Sequence, residues 1–263
     1  MNIVVCIKQV PDTTEVKLDP KTGTLIREGI PSIINPDDKG ALELALQLKD
    51  KYNAHVTVLT MGLPQADAAL REALAMGVDR AILLTDRKLG GADTLATSRA
   101  IAGALRQIDF DLILAGRQAI DGDTAQVGPQ IAEKLGLPQI TYAGEITKEG
   151  NTLTVKRILE DGYMMISVDT PCMITCIKEL NTPRYMSVRG VLEAFDKNIE
   201  VFDYNKLKDH PLIDATTIGL KGSPTNIYKS FTPPQKGVGM MLKGDGKETT
   251  NELASILAGK HII

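Results

Sequence analysis

The sequence is poor in aromatic residues: its 263 residues include four Phe, six Tyr and no Trp. A flat cofactor bound here would be held by aliphatic side chains and backbone donors and not by an aromatic cage. Cysteine is also scarce, and three cysteines are too few and odd in number for a disulfide framework. The three histidines lie far apart, with none at ligand spacing from a cysteine, so no zinc site is predicted.

Strong net charge and long apolar runs are missing too. The 30 Lys and Arg residues nearly balance the 33 Asp and Glu residues, so there is no single-sign field that would hold nucleic acid. No apolar run reaches the ~18 residues of a membrane-spanning helix, and no secretory signal pattern is present. Because a Gly-x-Ser-x-Gly elbow is also lacking, a hydrolase is not predicted. We expect a cytoplasmic protein without nucleic-acid binding or membrane insertion.

Apolar runs of strand length alternate with helical spacing over about the first 137 residues. The predicted strands are Ile3–Ile7, Val56–Met61, Ala81–Leu84 and Leu112–Ala115, and the predicted helices are Asp38–Tyr52, Pro64–Met76, Asp93–Gln107 and Thr124–Leu135. The strands are almost continuously apolar, as expected where helices cover both faces of a parallel sheet. This pattern predicts an α/β fold with a doubly wound, Rossmann-like parallel sheet.

Four further strands follow Pro138, close together and separated by turns. We predict that they are antiparallel edge strands of the same sheet: Ile140–Ile146, Thr152–Leu159, Tyr163–Val168 and Met173–Ile177. Residues Asp12–Ile30 predict a small hairpin after the first strand, where such an excursion often covers a ligand site.

The carboxyl-terminal part is expected to be an arm. Glycine and proline are frequent between Asp209 and Gly239, and a short helix is predicted over Glu248–Leu257. We therefore divide the chain into an α/β domain, 1–208, and an extended arm, 209–263, with Thr232–Ile263 as a candidate subunit contact. A tail without a partner is the alternative.

Two short motifs have plain structural explanations. Residues Gly90–Thr94 match the Gly-Gly-x-Asp-Thr loop of ATP pyrophosphatases but follow the third strand instead of the first. Asp93 or Thr94 is thus either a helix cap alone or a cap that also contacts a cofactor. Cys172 and Cys176 lie on one face of a predicted strand and are interpreted as two buried residues and not as a redox pair.

The strongest candidate site is Ala115–Pro129, which follows the fourth predicted strand. Its glycines and its Asp121–Thr124 turn lead into a helix at the carboxyl end of a parallel sheet. A helix N-terminus there offers free N–H donors and a partial positive charge, which suit a phosphate or diphosphate. A loop followed by a capped helix would explain the same glycines, so both interpretations stay open.

Four segments together resemble the beta subunit of electron-transferring flavoprotein over essentially the whole chain. They are Val4–Asp12, Ile34–Asp38, Ala115–Pro129, and Val155–Gly162 continuing to Pro171–Thr175. The resemblance implies a heterodimer with a larger alpha subunit, whose flavin delivers electrons to an acyl-CoA dehydrogenase-type partner. It also implies that this subunit holds a second nucleotide. Because the flavin carries out the redox chemistry, no catalytic side chain is implied.

The resemblance also implies the residues of the second nucleotide site. These are Cys6, Asn35, Asp37, Asp38, Met61, Asp93, Thr94, Thr97, Gly116, Arg117, Gln118, Asp121, Gly122, Asp123, Thr124, Ala125, Gln126 and Val127. Some members of the family hold AMP there, whereas the electron-bifurcating members of anaerobes hold a second FAD that accepts a hydride from NADH. Residues Lys8–Thr13, Gly91–Thr94 with Thr97, and Asp121–Thr124 resemble the bifurcating branch. That branch implies FAD, with AMP as the alternative, and ferredoxin or flavodoxin as the low-potential acceptor.

Residues Asn181–Glu193 match the family's recognition loop for dehydrogenases. Val188 is placed at its tip, with Arg184 and Arg189 on either side to steer the encounter. A plain connector between a strand and a helix is the alternative.

From other functional classes, a universal-stress-type nucleotide-binding regulator would lack both the antiparallel extension and the long arm. An ATP-dependent amidating enzyme is disfavoured by the absence of a glycine loop after the first strand.

Overall fold

The computed structural model describes residues 1–12, 31–225, 228, 237 and 239–263. The chain divides into two compact units, Met1–Ile227 and Tyr228–Ile263. None of the described helices has a stretch that is long and apolar enough to cross a membrane.

The described strands are β1 (Asn2–Ile7), β2 (Gln9–Pro11), β3 (Ser32–Ile34), β4 (His55–Met61), β5 (Arg80–Leu84), β6 (Leu112–Gly116), β7 (Gln139–Glu149), β8 (Thr152–Ile158), β9 (Tyr163–Asp169), β10 (Cys172–Cys176) and β11 (Ile199–Phe202). The described α-helices are α1 (Pro36–Tyr52), α2 (Asp67–Met76), α3 (Thr94–Leu105), α4 (Val127–Leu135), α5 (Val188–Asp196), α6 (Tyr204–Leu207) and α7 (Gly246–Gly259). Proline favours the start of α1, and Gly136 in the left-handed region ends α4.

Nine of the described strands form one sheet in the order β11, β5, β4, β1, β6, β10, β7, β8, β9. Strand β1 is parallel to β4 on one side and to β6 on the other. All five residues of β6 are buried, because helices cover both faces of the sheet. The predicted doubly wound parallel sheet is confirmed. Its strand order reverses between β1 and β6, and in such sheets ligands bind at the carboxyl ends of the strands at this point.

The prediction that Met173–Ile177 is an antiparallel edge strand is wrong. Strand β10 lies inside the sheet, parallel to both β6 and β7. Its proximity in sequence to the β8–β9 hairpin suggested an antiparallel meander, but its five residues are all buried, as a central parallel strand requires. Strands β7, β8 and β9 do form the predicted antiparallel extension.

Two apolar cores lie on opposite faces of the sheet. One contains residues of α1 and α2, Ala194 of α5, and both Cys172 and Cys176. The other contains residues of α3 and α4 together with Leu207 of α6. The two cysteines are thus buried neighbours on one face of β10, as predicted.

The first unit extends beyond residue 208, where the sequence analysis placed the boundary. Ile213 and Ile218 are buried in the core that contains α3, so the described residues from 209 to 225 belong to the α/β unit. In the second unit, α7 includes the predicted helix Glu248–Leu257, and Asp245 caps its N-terminus. The predicted hairpin at 12–30 lies outside the described residues apart from Asp12; β2 and β3, on either side of it, pair antiparallel.

Helix α5, which the sequence analysis did not predict, packs against α2 through a glycine. A Cβ atom at Gly190 would overlap the Ala75 carbonyl oxygen and lie 3.2 Å from its carbon. Replacing Gly by Ala inside a helix otherwise gains up to ~1 kcal/mol, but overlap with a backbone atom costs ~1–3 kcal/mol. We therefore expect Gly190→Ala to lower the free energy of unfolding by ~1–2 kcal/mol in urea denaturation.

The matched control is Gly40→Ala in α1, where the added Cβ would meet only ordinary contacts at 3.5 Å and beyond. This variant should be neutral or slightly more stable than the parent. Equal stability of the two variants would show that α5 is not held against α2 by this close approach.

Candidate functional site

A cavity of about 820 Å³ opens at the carboxyl ends of β1, β4 and β6. Its described lining contains no aromatic residue, which agrees with the expectation of aliphatic and backbone contacts. Most of the predicted nucleotide-site residues line it: Cys6, Asp38, Met61, Asp93, Thr94, Thr97, Gly116, Arg117, Gln118, Gly122, Asp123, Thr124, Ala125, Gln126 and Val127. In the described parts of the chain, no group of His, Cys, Asp and Glu side chains is arranged to hold a metal ion.

Asn35 does not line the cavity but holds the loop that does. Its side chain is fully buried at the start of α1. Its Nδ2 donates to the carbonyl oxygen of Gln118 at 2.7 Å, and its Oδ1 accepts from the N–H of Ile120 at 3.0 Å. Both backbone groups belong to the loop after β6, so Asn35 supports the wall of the cavity from behind.

The loop after β6 ends later than predicted, because α4 begins at Val127 and not at Thr124. Asp123 and Ala125 adopt left-handed backbone angles, with φ of 49° and 51°, which a helix cannot contain. The backbone N–H groups of Thr124, Ala125 and Gln126 have no acceptor among the described residues. This cavity wall therefore offers unpaired donors immediately before a helix N-terminus, an arrangement that suits anionic ligands.

Helix α3 begins beside the same wall. Asp93 caps it by accepting from the N–H of Ala96 at 2.9 Å, and the Thr94 hydroxyl donates to Oε1 of Gln126 at 2.9 Å. Burial raises the pKa of Asp93, but the N–H groups of Ala96 and Thr225 outweigh it and lower that pKa overall. Asp93 is thus both the predicted helix cap and a residue that lines the cavity.

Asp38 lies at the base of the cavity and is 6 % exposed. Burial, with a smaller contribution from Asp37, raises its pKa to about 7, against hydrogen bonds that lower it. The folded-state pKa is above the ordinary value of 3.8, so the folded protein holds this proton more tightly than the unfolded chain. As pH rises from about 4 to about 7, ionisation of this carboxyl therefore costs the protein stability.

Asp37 is buried behind the cavity, which it does not line. Its Oδ1 accepts from the N–H of Lys178 at 3.1 Å, and its Oδ2 lies 3.4 Å from Nε of Arg117. Burial is the main cause that raises the pKa of Asp37, and the Arg117 guanidinium opposes it. The pair orients Arg117, which itself lines the cavity.

Asp121 also does not line the cavity but pairs with a cavity residue that the sequence analysis missed. Nζ of Lys8 lies 2.6 Å from Oδ1 of Asp121, and Lys8 lines the cavity. Lys8 directly follows β1, whose carboxyl end is at the cavity. Its position in the sequence could therefore have predicted that it lines the cavity. The ion pair ties the end of β1 to the loop after β6.

The predicted partner-binding residues lie around α5. Val188 is the first residue of this helix and is 81 % exposed, and Arg189 is exposed and paired with Glu193. Arg184 is different, because its guanidinium lies 2.9 Å from Glu43 and 2.8 Å from Asp50. These hydrogen bonds raise the pKa of Arg184 and tie this segment to α1, and its part in binding a dehydrogenase stays a prediction.

The match to known proteins covers the whole chain. Residues 22–207 match the family model of the electron transfer flavoprotein domain. The chain is 56% identical over 268 residues to the acryloyl-CoA reductase electron transfer subunit gamma of Anaerotignum propionicum, with all of both chains covered. It is also 56% identical over 263 residues to the electron transfer flavoprotein subunit beta of Clostridium acetobutylicum, again with complete coverage of both. A third relative, the caffeyl-CoA reductase-Etf complex subunit CarD of Acetobacterium woodii, is 53% identical over 266 residues with the same coverage. The chain therefore belongs to the electron transfer flavoprotein family, as a beta subunit.

Proposed function

We propose that the cavity binds FAD as the second nucleotide of an electron-bifurcating, cytoplasmic heterodimer. AMP in the same position is the alternative. With the alpha subunit, the complex would take electrons from NADH and divide them between a low-potential acceptor, ferredoxin or flavodoxin, and an acyl-CoA dehydrogenase-type flavoenzyme.

The volume of the cavity is the observation that carries the proposal. At about 820 Å³, it lies toward the upper end of the ~300–1,000 Å³ range of small-ligand sites. FAD contains AMP as one of its halves and has more than twice as many non-hydrogen atoms. A cavity of this size that extends from Met61 past Gly116 to Gln126 favours the dinucleotide.

The residues present fit such a ligand. The N–H groups of Thr124, Ala125 and Gln126, beside the N-terminus of α4, would hold the diphosphate. Aliphatic side chains from β1 and α3, including Ile7 and Ile101, would contact the ring systems. When bound, the flavin supplies hydride and electron transfer, and this chain supplies binding, orientation and electrostatics.

The names of two relatives support an acyl-CoA dehydrogenase-type partner. The acryloyl-CoA reductase subunit and the caffeyl-CoA reductase-Etf complex subunit both carry the name of a reductase that acts on a CoA thioester. We infer that this chain serves a flavoenzyme of that class.

The diphosphate site is tested by Thr124→Glu, which puts a carboxylate among the free N–H groups. One added charge ~5 Å from one phosphate charge, at an effective dielectric constant of ~20, costs ~3 kcal/mol. This cost corresponds to a loss of affinity on the order of a hundredfold. Flavin content, measured by absorbance after purification with the alpha subunit, should fall from two toward one per heterodimer, and NADH-driven bifurcation should be lost.

The control is Thr147→Glu, which adds the same charge to an exposed position on β7, outside the cavity lining. It should keep both flavins. If the Thr124 variant also keeps both, the diphosphate lies elsewhere.

The docking surface for the dehydrogenase is proposed to be the apolar surface of α5 and the segment before it. Tyr185, Val188, Leu192 and Phe195 expose between 68 % and 98 % of their area. Large apolar residues that remain exposed together often mark protein interfaces, and exposed Arg189 beside them can assist the encounter.

The alpha subunit is proposed to bind the second unit of the chain. Helix α7 has no buried residue, and Met240, Met241, Leu253 and Ile263 are exposed. Uncovered apolar residues of this kind favour burial against another chain. The arm therefore remains our candidate for the subunit contact.

The docking proposal predicts that Val188→Asp slows electron transfer to the dehydrogenase by about tenfold or more, because a carboxylate must then be desolvated at an apolar contact. Flavin content should stay the same. Stopped-flow reduction of the dehydrogenase by the loaded heterodimer measures the rate. Val201→Asp, a change of another exposed valine on β11, is the control and should transfer at the parent rate; an unchanged rate for the Val188 variant would refute the assignment.

A further inference from the structure

The side chain of Asp38 joins the ends of two strands through their backbones. Its Oδ2 accepts from the N–H of Lys8 and its Oδ1 from the N–H of Gly116, each at 2.8 Å. Lys8 follows β1, and Gly116 is the last residue of β6. One carboxylate on α1 thus holds both strand ends where the order of the sheet reverses.

The start of α1 packs closely against the end of β6 beside this carboxylate. A Cβ atom at Gly116 would lie 2.6 Å from the backbone nitrogen of Asp38 and 2.7 Å from Cβ of Asp37. The N-terminal turn of α1 is therefore pressed against the end of β6. Because the chain continues from Gly116 directly into the wall of the cavity, the position of that wall depends on this contact.

In the described parts of the chain, no ion pair neutralises the charge of Asp38. The ionisable groups that face it from the neighbouring elements are Asp37 on α1, Cys6 on β1 and Cys176 on β10, whereas Arg117 after β6 faces Asp37. Burial raises the pKa of both thiols, that of Cys6 to about 12, so both stay neutral. Arg117 pairs with Asp37, the ammonium of Lys8 pairs with Asp121, and among the described residues no cation forms an ion pair with Asp38.

We infer that Asp38 is a positioning residue, whose ionised carboxyl shapes the nucleotide cavity by fixing the backbone of Lys8 and Gly116, and that it does not bind the nucleotide's phosphates. The inference rests on the proposed function, since it assumes that the cavity holds a nucleotide. It reassigns a residue that the family resemblance had placed among the cofactor contacts.

The chemistry of the two hydrogen bonds predicts the direction of a pH effect. Both partners of Asp38 are N–H donors, so the side chain must offer two acceptors. A protonated carboxyl has a hydroxyl in one of these places and Asn has an NH₂ group, so either leaves one N–H facing a donor. Nucleotide affinity should therefore fall on acidification. If Asp38 acted only as a negative charge in the cavity, its removal would strengthen the binding of an anionic nucleotide.

The test uses the full chain in its heterodimer, stripped of the second nucleotide and titrated with FAD and, separately, with AMP between pH 5.5 and 8.5. The dissociation constant of Asp38→Asn is divided by that of the parent at each pH, which cancels any titration of the ligand itself. We expect a ratio of about ten at pH 8.5 that declines to about one at pH 5.5. Asp111→Asn removes a carboxylate that accepts from the N–H of Asn2 at the other end of β1, and it should match the parent at every pH.

A ratio that stays at one, or falls below one, overturns the role of Asp38 and leaves the proposed function intact. If neither nucleotide binds the parent protein at any pH, the proposed function fails, and this inference fails with it. Should Asp38→Asn not fold, the parent protein alone decides: weaker FAD binding at pH 5.5 than at 8.5 supports the inference, and equal or tighter binding overturns it.

Discussion

The reversal of strand order between β1 and β6 is the constraint on which the site depends. The connection after β1 leads through α1 on one face of the sheet, whereas the connection after β6 leads through α4 on the other face. Because the two connections diverge, the carboxyl ends of these strands cannot be covered by either helix. The cavity of about 820 Å³ lies at this opening, and the loops around it supply its walls.

Polar side chains at the start of α1 hold the backbone around this opening by hydrogen bonds. Asn35 bonds two backbone groups of the loop after β6, and Asp38 bonds the ends of β1 and β6. These are buried polar groups whose hydrogen bonds go to backbone, and burial of the Asp38 carboxylate lowers stability at neutral pH. The N–H groups around Thr124, which have no acceptor among the described residues, lie further along the same loop. The hydrogen bonds of Asn35 and Asp38 thus hold the backbone around the cavity, and backbone N–H donors remain available to a ligand inside it.

Much of the fold could be predicted from the sequence, because apolar runs and helical spacing report burial directly. The parallel sheet, its first four helices and the antiparallel β7 to β9 extension follow that rule. The position of strand β10 was not predicted, because an apolar run indicates burial on both faces but does not show which strands lie beside it. The start of α4 was also predicted wrongly. The left-handed backbone angles of Asp123 and Ala125 delay the helix, and the residue types in this segment do not reveal those angles.

The sequence predicted where the candidate site lies, but not which residues contact one another there. The residues named from the family resemblance converge on one cavity, yet Asn35, Asp37 and Asp121 support its walls instead of lining them. Lys8 lines the cavity, and Arg184 is anchored by Glu43 on α1. The Lys8–Asp121 and Arg184–Glu43 pairs join residues that lie more than a hundred positions apart. No local pattern in the sequence records them.

The proposed FAD site is tested most directly by identifying the nucleotide in the cavity. The unmodified chain is purified with its alpha subunit, the heterodimer is denatured, and the released nucleotides are identified and counted by chromatography. We expect two FAD per heterodimer and no AMP. One FAD together with one AMP would contradict the proposed FAD site.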